Sequence, residues 1–224
     1  SIRLLHRFVA DNELLMGRQK SKPIQRTRDA EVAIVGSGAA GLACAYDLVR
    51  RGYTVTVFEA APKAGGLLRY GIPEYRLPKD VLDSEISYIQ ELGVDIRTNS
   101  PVKDLESVFA QGFKAIFLAT GAWVSEKMDI PNEDSDGVWH ALDFLRQTNS
   151  AENIEVGKRV AVIGGGNAAI DAARVAKRSG AKEVLVVYRR SRTEMPAIAT
   201  EVEEAEREGV EFHFLAVPVR VLAD

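Results

Sequence analysis

Apolar and polar positions along the chain fall into two alternating rhythms. Short, nearly continuous apolar runs occur at residues 32–35, 55–58, 114–118, 160–163 and 184–187, and residues 94–98, where Val94 and Ile96 alternate with polar residues, read as a further strand. Runs of that length without polar alternation predict strands covered on both faces, as in a parallel sheet. Between them lie stretches with apolar residues three and four apart, the spacing of one helix face. Residues 42–50, 80–92 (Val81, Leu82, Ile86, Ile89, Leu92) and 170–178 are expected helices, the last two stopped by Gly93 and Gly180. Strands alternating with helices predict an α/β fold. At the start, residues 2–10 have the spacing of a short amphipathic helix. A polar, basic stretch containing Arg18, Lys20, Lys22, Pro23, Arg26 and Arg28 follows and reads as an extended linker.

Two interruptions stand out. Residues 61–78 hold three glycines and three prolines and predict a shaped loop, neither helix nor strand. Residues 132–137 are a polar turn, and 138–145 then read as helical, with Trp139 and His140 as packing residues. Glu201, Glu203, Glu204, Glu206, Arg207 and Glu208 form a charge-rich helix face, read as solvated surface.

The first strand runs into Gly36-Ser37-Gly38-Ala39-Ala40-Gly41 and straight on into a helix. This is the strand, tight turn and helix arrangement that binds a dinucleotide. Gly36 allows the turn, Gly38 lets backbone approach a pyrophosphate, and Gly41 lets the helix lie close on the strand. The phosphates then meet the unpaired N–H groups of the helix N-terminus. The second strand ends in Glu59, 18 residues after Gly41, where an acidic residue holds a ribose diol, as in FAD or NAD.

The pattern begins again 128 residues later: Gly164-Gly165-Gly166-Asn167-Ala168-Ala169 leads into the helix at 170–178. The next strand ends not in an acid but in Tyr188-Arg189-Arg190. Planar, permanently charged guanidinium groups suit a 2′-phosphate and favour NADPH over NADH, the alternative being a solvated rim. Later landmarks repeat at offsets of 116 (Gly93 with Gly209) and 117 (Pro101-Val102 with Pro218-Val219), so the first copy holds about 12 extra residues, which the loop at 65–78 supplies. The second copy lacks a counterpart of Ala119-Thr120-Gly121. A domain cut short is the expectation, a naturally shortened one the alternative. The expected organisation is an N-terminal helix and linker (1–30), an FAD-binding domain (31–145) and an incomplete NAD(P)H-binding domain (146–224). These make two tandem Rossmann-type nucleotide-binding domains.

Composition narrows this reading. A net charge of −3 offers no electrostatic footprint for nucleic acid, and no apolar run is long enough to span a membrane. Cys44 is the single cysteine, read as a small core residue. One cysteine excludes a CxxC pair or a cysteine-ligated cluster within these residues, and a cytoplasmic location is the default. His6 has no second metal-type residue at a useful spacing and reads as surface; no metal site is expected. Paired fingerprints suggest one resident redox cofactor and one exchangeable nicotinamide, with hydride passing from nicotinamide C4 to flavin N5. That step needs no protein acid or base, so no catalytic residue is assigned. A disulfide reductase would need a cysteine pair, a flavin monooxygenase would lack the loop at 65–78, and a purely structural subunit would bind nucleotide without being reduced.

The stretch Gly65-Gly66-Leu67-Leu68-Arg69-Tyr70-Gly71-Ile72-Pro73-Glu74-Tyr75-Arg76-Leu77-Pro78, with both fingerprints, Ala119-Thr120-Gly121 and Met195-Pro196-Ala197, resembles the flavoprotein family typified by the glutamate synthase small (beta) subunit. Its module is shared by dihydropyrimidine dehydrogenase and bifurcating NADPH:ferredoxin oxidoreductases. The resemblance implies FAD contacts at Gly36, Gly38, Ala39, Ala40, Gly41, Glu59, Gly66, Leu67, Arg76, Val102, Thr120 and Gly121. It implies NADPH contacts at Gly164, Gly166, Asn167, Ala168, Arg189 and Arg190, with Asp171 helping to order the site. It further implies electron transfer to [4Fe–4S] clusters in missing or partner segments, a domain or catalytic subunit of a larger complex.

Overall fold

The computed structural model describes residues 2–17, 22–150 and 154–222; Arg18 and Lys20 of the expected linker lie outside the described residues. The chain forms two compact units. One comprises the chain up to Ala64 together with Asp83–Ala119, the other Gly65–Leu82 together with the chain from Thr120 onward.

The first unit begins with helix α1 (Ile2–Met16), longer than the expected 2–10 and carrying Ile2, Leu5, Phe8 and Val9 exposed. His6 is exposed too, as its reading as a surface residue requires. The linker after it runs extended, hydrogen-bonded from Ile24 N–H to Leu92 O (2.9 Å) and from Thr27 N–H to Gly52 O (3.0 Å). Strand β1 (Glu31–Val35), helix α2 (Ala39–Arg50) and strand β2 (Thr54–Phe58) follow at the expected places. Helix α3 (Leu67–Tyr70) belongs to the other unit, and α4 (Lys79–Glu91) crosses the division. Strand β3 (Asp95–Arg97), helix α5 (Leu105–Phe109) and strand β4 (Ala115–Leu118) complete a parallel sheet in the order β3-β2-β1-β4. Ile34, Val55 and Val57 are fully buried, and Phe58 meets Phe113 edge-on at 5.7 Å. Helix α5 was not expected. Its signal is Asp104, whose carboxylate accepts the Ser107 N–H (2.8 Å) as an N-cap. Cys44 is only half-buried on α2, not a core residue.

In the second unit, α3 is a single helical turn inside the stretch expected to be all loop. It packs on helix α6 (Ala141–Asn149), where Asn149 Nδ2 donates to Tyr70 O (3.0 Å). Residues 138–140 do not join α6, and Trp139 and His140 are exposed, not packed. The turn at 132–137 closes with Gly137 at φ +84°, the chain stays irregular through His140, and only Phe144 and Leu145 reach the core. Strand β5 (Arg159–Ile163), helix α7 (Asn167–Arg178), strand β6 (Glu183–Tyr188), helix α8 (Ala199–Arg207) and strand β7 (Val210–Phe214) form a parallel sheet in the order β5-β6-β7. Its core gathers Leu145, Ile170, Ala173, Val186, Val202 and Ala205.

Gly41 sits on the first turn of α2, where a Cβ would run into the Gly36 carbonyl oxygen. Gly41→Ala must push helix from strand. It is expected to cost about 1–3 kcal/mol in urea unfolding of the chain. An unchanged midpoint would contradict the close approach.

Candidate functional site

Both glycine loops are built the same way. Gly36, at φ +102°, turns the chain out of β1, and its N–H donates to Phe58 O at the end of β2 (2.8 Å). Gly164, at φ +138°, does the same after β5, donating to Val187 O at the end of β6 (3.0 Å). The strand registers agree, Val35 opposite Phe58 and Ile163 opposite Val187. Residue 59 of the first loop therefore stands where residue 188 stands in the second.

Helices α2 and α7 start from Gly38 and Gly166, neither with a side-chain cap. Each leaves first-turn N–H groups to be satisfied from outside, a natural seat for an anion. Gly38 (φ −71°, ψ −174°) and Gly166 (φ −88°, ψ 173°) have backbone angles that any residue adopts, and a Cβ on Gly166 would meet nothing within 4 Å. Neither conformation nor packing asks for glycine at Gly166. A ligand's phosphate approaching the backbone would, so the residues present fit the expected pyrophosphate.

In the first unit the strand-end residue is Glu59, 8% exposed. Its Oε2 accepts the Ser37 N–H (2.9 Å) and hydroxyl, and its Oε1 accepts the Ala61 N–H (2.8 Å). The carboxylate thus ties the glycine loop to β2 and keeps acceptor capacity for a diol. Ala39 and Ala40 are exposed on the first turn, and Val102 is half-buried against Ala33 and Phe58. Of the expected FAD residues, Gly36, Gly38, Ala39, Ala40, Gly41, Glu59 and Val102 belong to this unit. Gly66, Leu67, Arg76, Thr120 and Gly121 belong to the other.

In the second unit the strand-end residue is Tyr188, whose ring fills the space a Cβ on Gly165 would need, 2.5 Å away. Arg189 and Arg190 follow, both exposed. Among the described residues neither carries an ion pair, whereas nearby Arg192 is committed to Glu206. Asn167, expected to touch nucleotide, uses its Oδ1 to accept the Ile198 N–H (3.0 Å). Ala197 N–H donates to Gly165 O (3.1 Å), so the segment 195–198 is laced to the second loop.

An ionic cluster that sequence reasoning missed lies beneath α7. Arg76 donates to Asp171 Oδ2 (2.7 Å) and lies 3.7 Å from Glu201; Arg174, 6% exposed at its side chain, pairs with Glu201 (2.5 Å) and Glu208 (2.7 Å); Arg178 also pairs with Glu208 (2.6 Å). The Tyr75 ring lies under both cations, 4.5 Å from Arg174 and 4.1 Å from Arg178. Glu201 and Glu208 are therefore half-buried partners, not the solvated face expected of them, while Glu203, Glu206 and Arg207 are exposed. Asp171 Oδ1 and the Tyr75 hydroxyl are buried without a hydrogen-bond partner among the described residues. Burial pushes the Asp171 carboxyl up despite the Arg76 bond, and burial with the Asp171 charge pushes the Tyr75 phenol up. Burial alone would raise Glu208, but hydrogen bonds from Arg178 and Arg174 outweigh it and hold its pKa at about 2.

Residues 30–224 match the model of a family described as pyridine nucleotide-disulphide oxidoreductase. The chain is 44% identical over 251 residues to the NADP(+)-dependent formate dehydrogenase subunit beta of Moorella thermoacetica, covering 100% of this chain and 35% of that protein. It is 36% identical over 230 residues to the glutamate synthase [NADPH] small chain of Escherichia coli (strain K12), covering 97% and 49%. Among solved structures, the His57Gln mutant of FprA from Mycobacterium tuberculosis superposes with a TM-score of 0.69 at 25% identity, covering 81% of this chain and 48% of that one. The chain thus spans between about a third and a half of the length of these relatives. Among the described residues no helix is long and apolar enough to cross a membrane.

The Glu208 pairs have a pH signature. A carboxyl held at about 2 when folded, against an ordinary 4.5, contributes stability that is complete above pH 4.5 and is lost as pH falls toward 2. Glu208→Gln is expected to lower stability at neutral pH by on the order of 2 kcal/mol and to flatten that acid limb. Urea unfolding at a series of pH values measures both, and an acid limb like that of the unsubstituted protein would contradict the assignment.

Proposed function

The chain belongs to the pyridine nucleotide-disulphide oxidoreductase family, and from that premise we propose that it is a flavoprotein electron-transfer module using two tandem Rossmann-type nucleotide-binding domains. In this reading residues 31–145 contribute to an FAD-binding domain and 146–224 to an NAD(P)H-binding domain. NADPH is the preferred nucleotide. When bound, the two cofactors supply hydride transfer from nicotinamide to flavin and onward passage of single electrons to iron–sulfur clusters. Cys44 is the only cysteine, so the ligands of those clusters belong to a partner domain or subunit. The relatives named as a formate dehydrogenase beta subunit and a glutamate synthase small chain support a place in a larger enzyme, and the cytoplasm is its proposed location.

The protein's share of the work is binding and orientation. The Ala39, Ala40 and Gly41 N–H groups at the start of α2 take the FAD pyrophosphate, and Glu59 holds the adenosine ribose diol while bracing Ser37. Val102 completes the flavin contacts of this unit. Gly164, Gly166, Asn167 and Ala168 seat the NADPH pyrophosphate on α7, and Arg189 and Arg190 take its 2′-phosphate. The observation that carries this reading is the pair of glycine loops closed by the same backbone bond, with a carboxylate at one strand end and two exposed guanidinium groups at the other.

Replacing Arg189 and Arg190 together by Ala is expected to weaken NADPH binding by about 1.5–3 kcal/mol while sparing NADH. Calorimetric titration with both nucleotides reads this directly. Equal losses for both would sink the 2′-phosphate assignment, and no binding of either by the unsubstituted protein would sink the nucleotide site.

A further inference from the structure

The exposed guanidinium groups do not set specificity alone. The two loops are superposable in their backbone bonding, yet the residue that follows the bonded carbonyl is Glu59 in one and Tyr188 in the other. In the first unit that position delivers a carboxylate to the N–H of the middle loop residue, Ser37. In the second unit the middle loop residue is Gly165, and the Tyr188 ring lies on it at the distance where a Cβ would clash. Tyr188 is 8% exposed, and its hydroxyl donates to Glu194 O (3.0 Å).

That hydroxyl bond closes the turn that follows the strand. Within it the Glu194 carboxylate accepts the Ser191 N–H (3.1 Å) and hydroxyl (2.7 Å), and the Ser191 hydroxyl lies 3.0 Å from that of Thr193. On the other side, Ala216 N–H donates to Tyr188 O (3.2 Å) and Leu215 N–H to Arg190 O (3.3 Å). The backbone carrying Arg189 and Arg190 is therefore pinned before, within and after the turn, while neither side chain makes an ion pair among the described residues. Removing a carboxylate from the ribose position and fixing a cationic turn beside it are separate requirements for choosing a phosphorylated ribose, and one side chain meets both.

We propose that Tyr188 is a specificity-determining residue of the second nucleotide site: it denies the site a diol-binding carboxylate and, through Glu194 O, sets the turn that presents Arg189 and Arg190 to a 2′-phosphate. The inference rests on the reading of this loop as a nicotinamide nucleotide site.

The test is calorimetric binding of NADPH and NADH to the full chain and to Tyr188→Phe and Tyr188→Glu. Tyr188→Phe keeps the ring on Gly165 and loses only the bond to Glu194 O. NADPH is expected to weaken about three- to tenfold, with NADH within about twofold of the unsubstituted protein. Tyr188→Glu restores the arrangement of the first loop and is expected to weaken NADPH about a hundredfold or more relative to NADH. If Tyr188→Glu does not fold, the Phe variant decides alone. Affinities unchanged in Tyr188→Phe, or weakened equally for both nucleotides, would overturn the proposal while leaving the nucleotide site intact. An unsubstituted protein that binds neither nucleotide would overturn the underlying reading, and this inference with it.

Discussion

One backbone hydrogen bond, from the first glycine of each loop to the last paired carbonyl of the neighbouring strand, governs both halves of this chain. Gly36 N–H to Phe58 O and Gly164 N–H to Val187 O close the loop onto the sheet at 2.8 and 3.0 Å. The bond needs a glycine, because φ is +102° at one and +138° at the other. Once it forms, the next strand residue is delivered against the loop whatever its chemistry. The two loops therefore share one frame and differ at a single strand-end position: Glu59 in the first unit, Tyr188 in the second.

The second constraint is charge beneath α7. Three cations (Arg76, Arg174, Arg178) and three carboxylates (Asp171, Glu201, Glu208) meet there around one aromatic ring. Balanced charge with short bonds makes such burial tolerable, and removal of any one member strands its partner in a poorly solvated place. The cluster fastens the segment carrying Tyr75 and Arg76 to the helix that opens from the second glycine loop. The residues that lengthen the first sequence repeat are thus structural members of the second unit, and Arg76, expected at the flavin, has its guanidinium on Asp171.

Much of this was legible in the sequence because it is local. Apolar runs and glycine spacing located β1 to β6 and both loops to within a residue or two, though not β7, and helix-period spacing found α2, α4 and α7. The rest was not local. The Arg76–Asp171 pair joins residues 95 apart, and no periodicity shows that Glu201 and Glu208 turn toward arginines while Glu203 and Glu206 face water. Trp139 and His140 read as helix and emerge as exposed chain, because a turn with Gly137 at positive φ delays the helix. Tyr188 reads only as the end of its strand beside two arginines, and the registers of the two sheets are what place it at the position of Glu59.

The central claim is that the paired loops serve a hydride path between a nicotinamide nucleotide and a flavin. Anaerobic absorbance titration of the protein in its native complex, first with NADPH and then with NADH, tests it most directly. The account predicts that a flavin band bleaches with stoichiometric NADPH and less readily with NADH. A flavin band that neither nucleotide bleaches, or the absence of one, would contradict it.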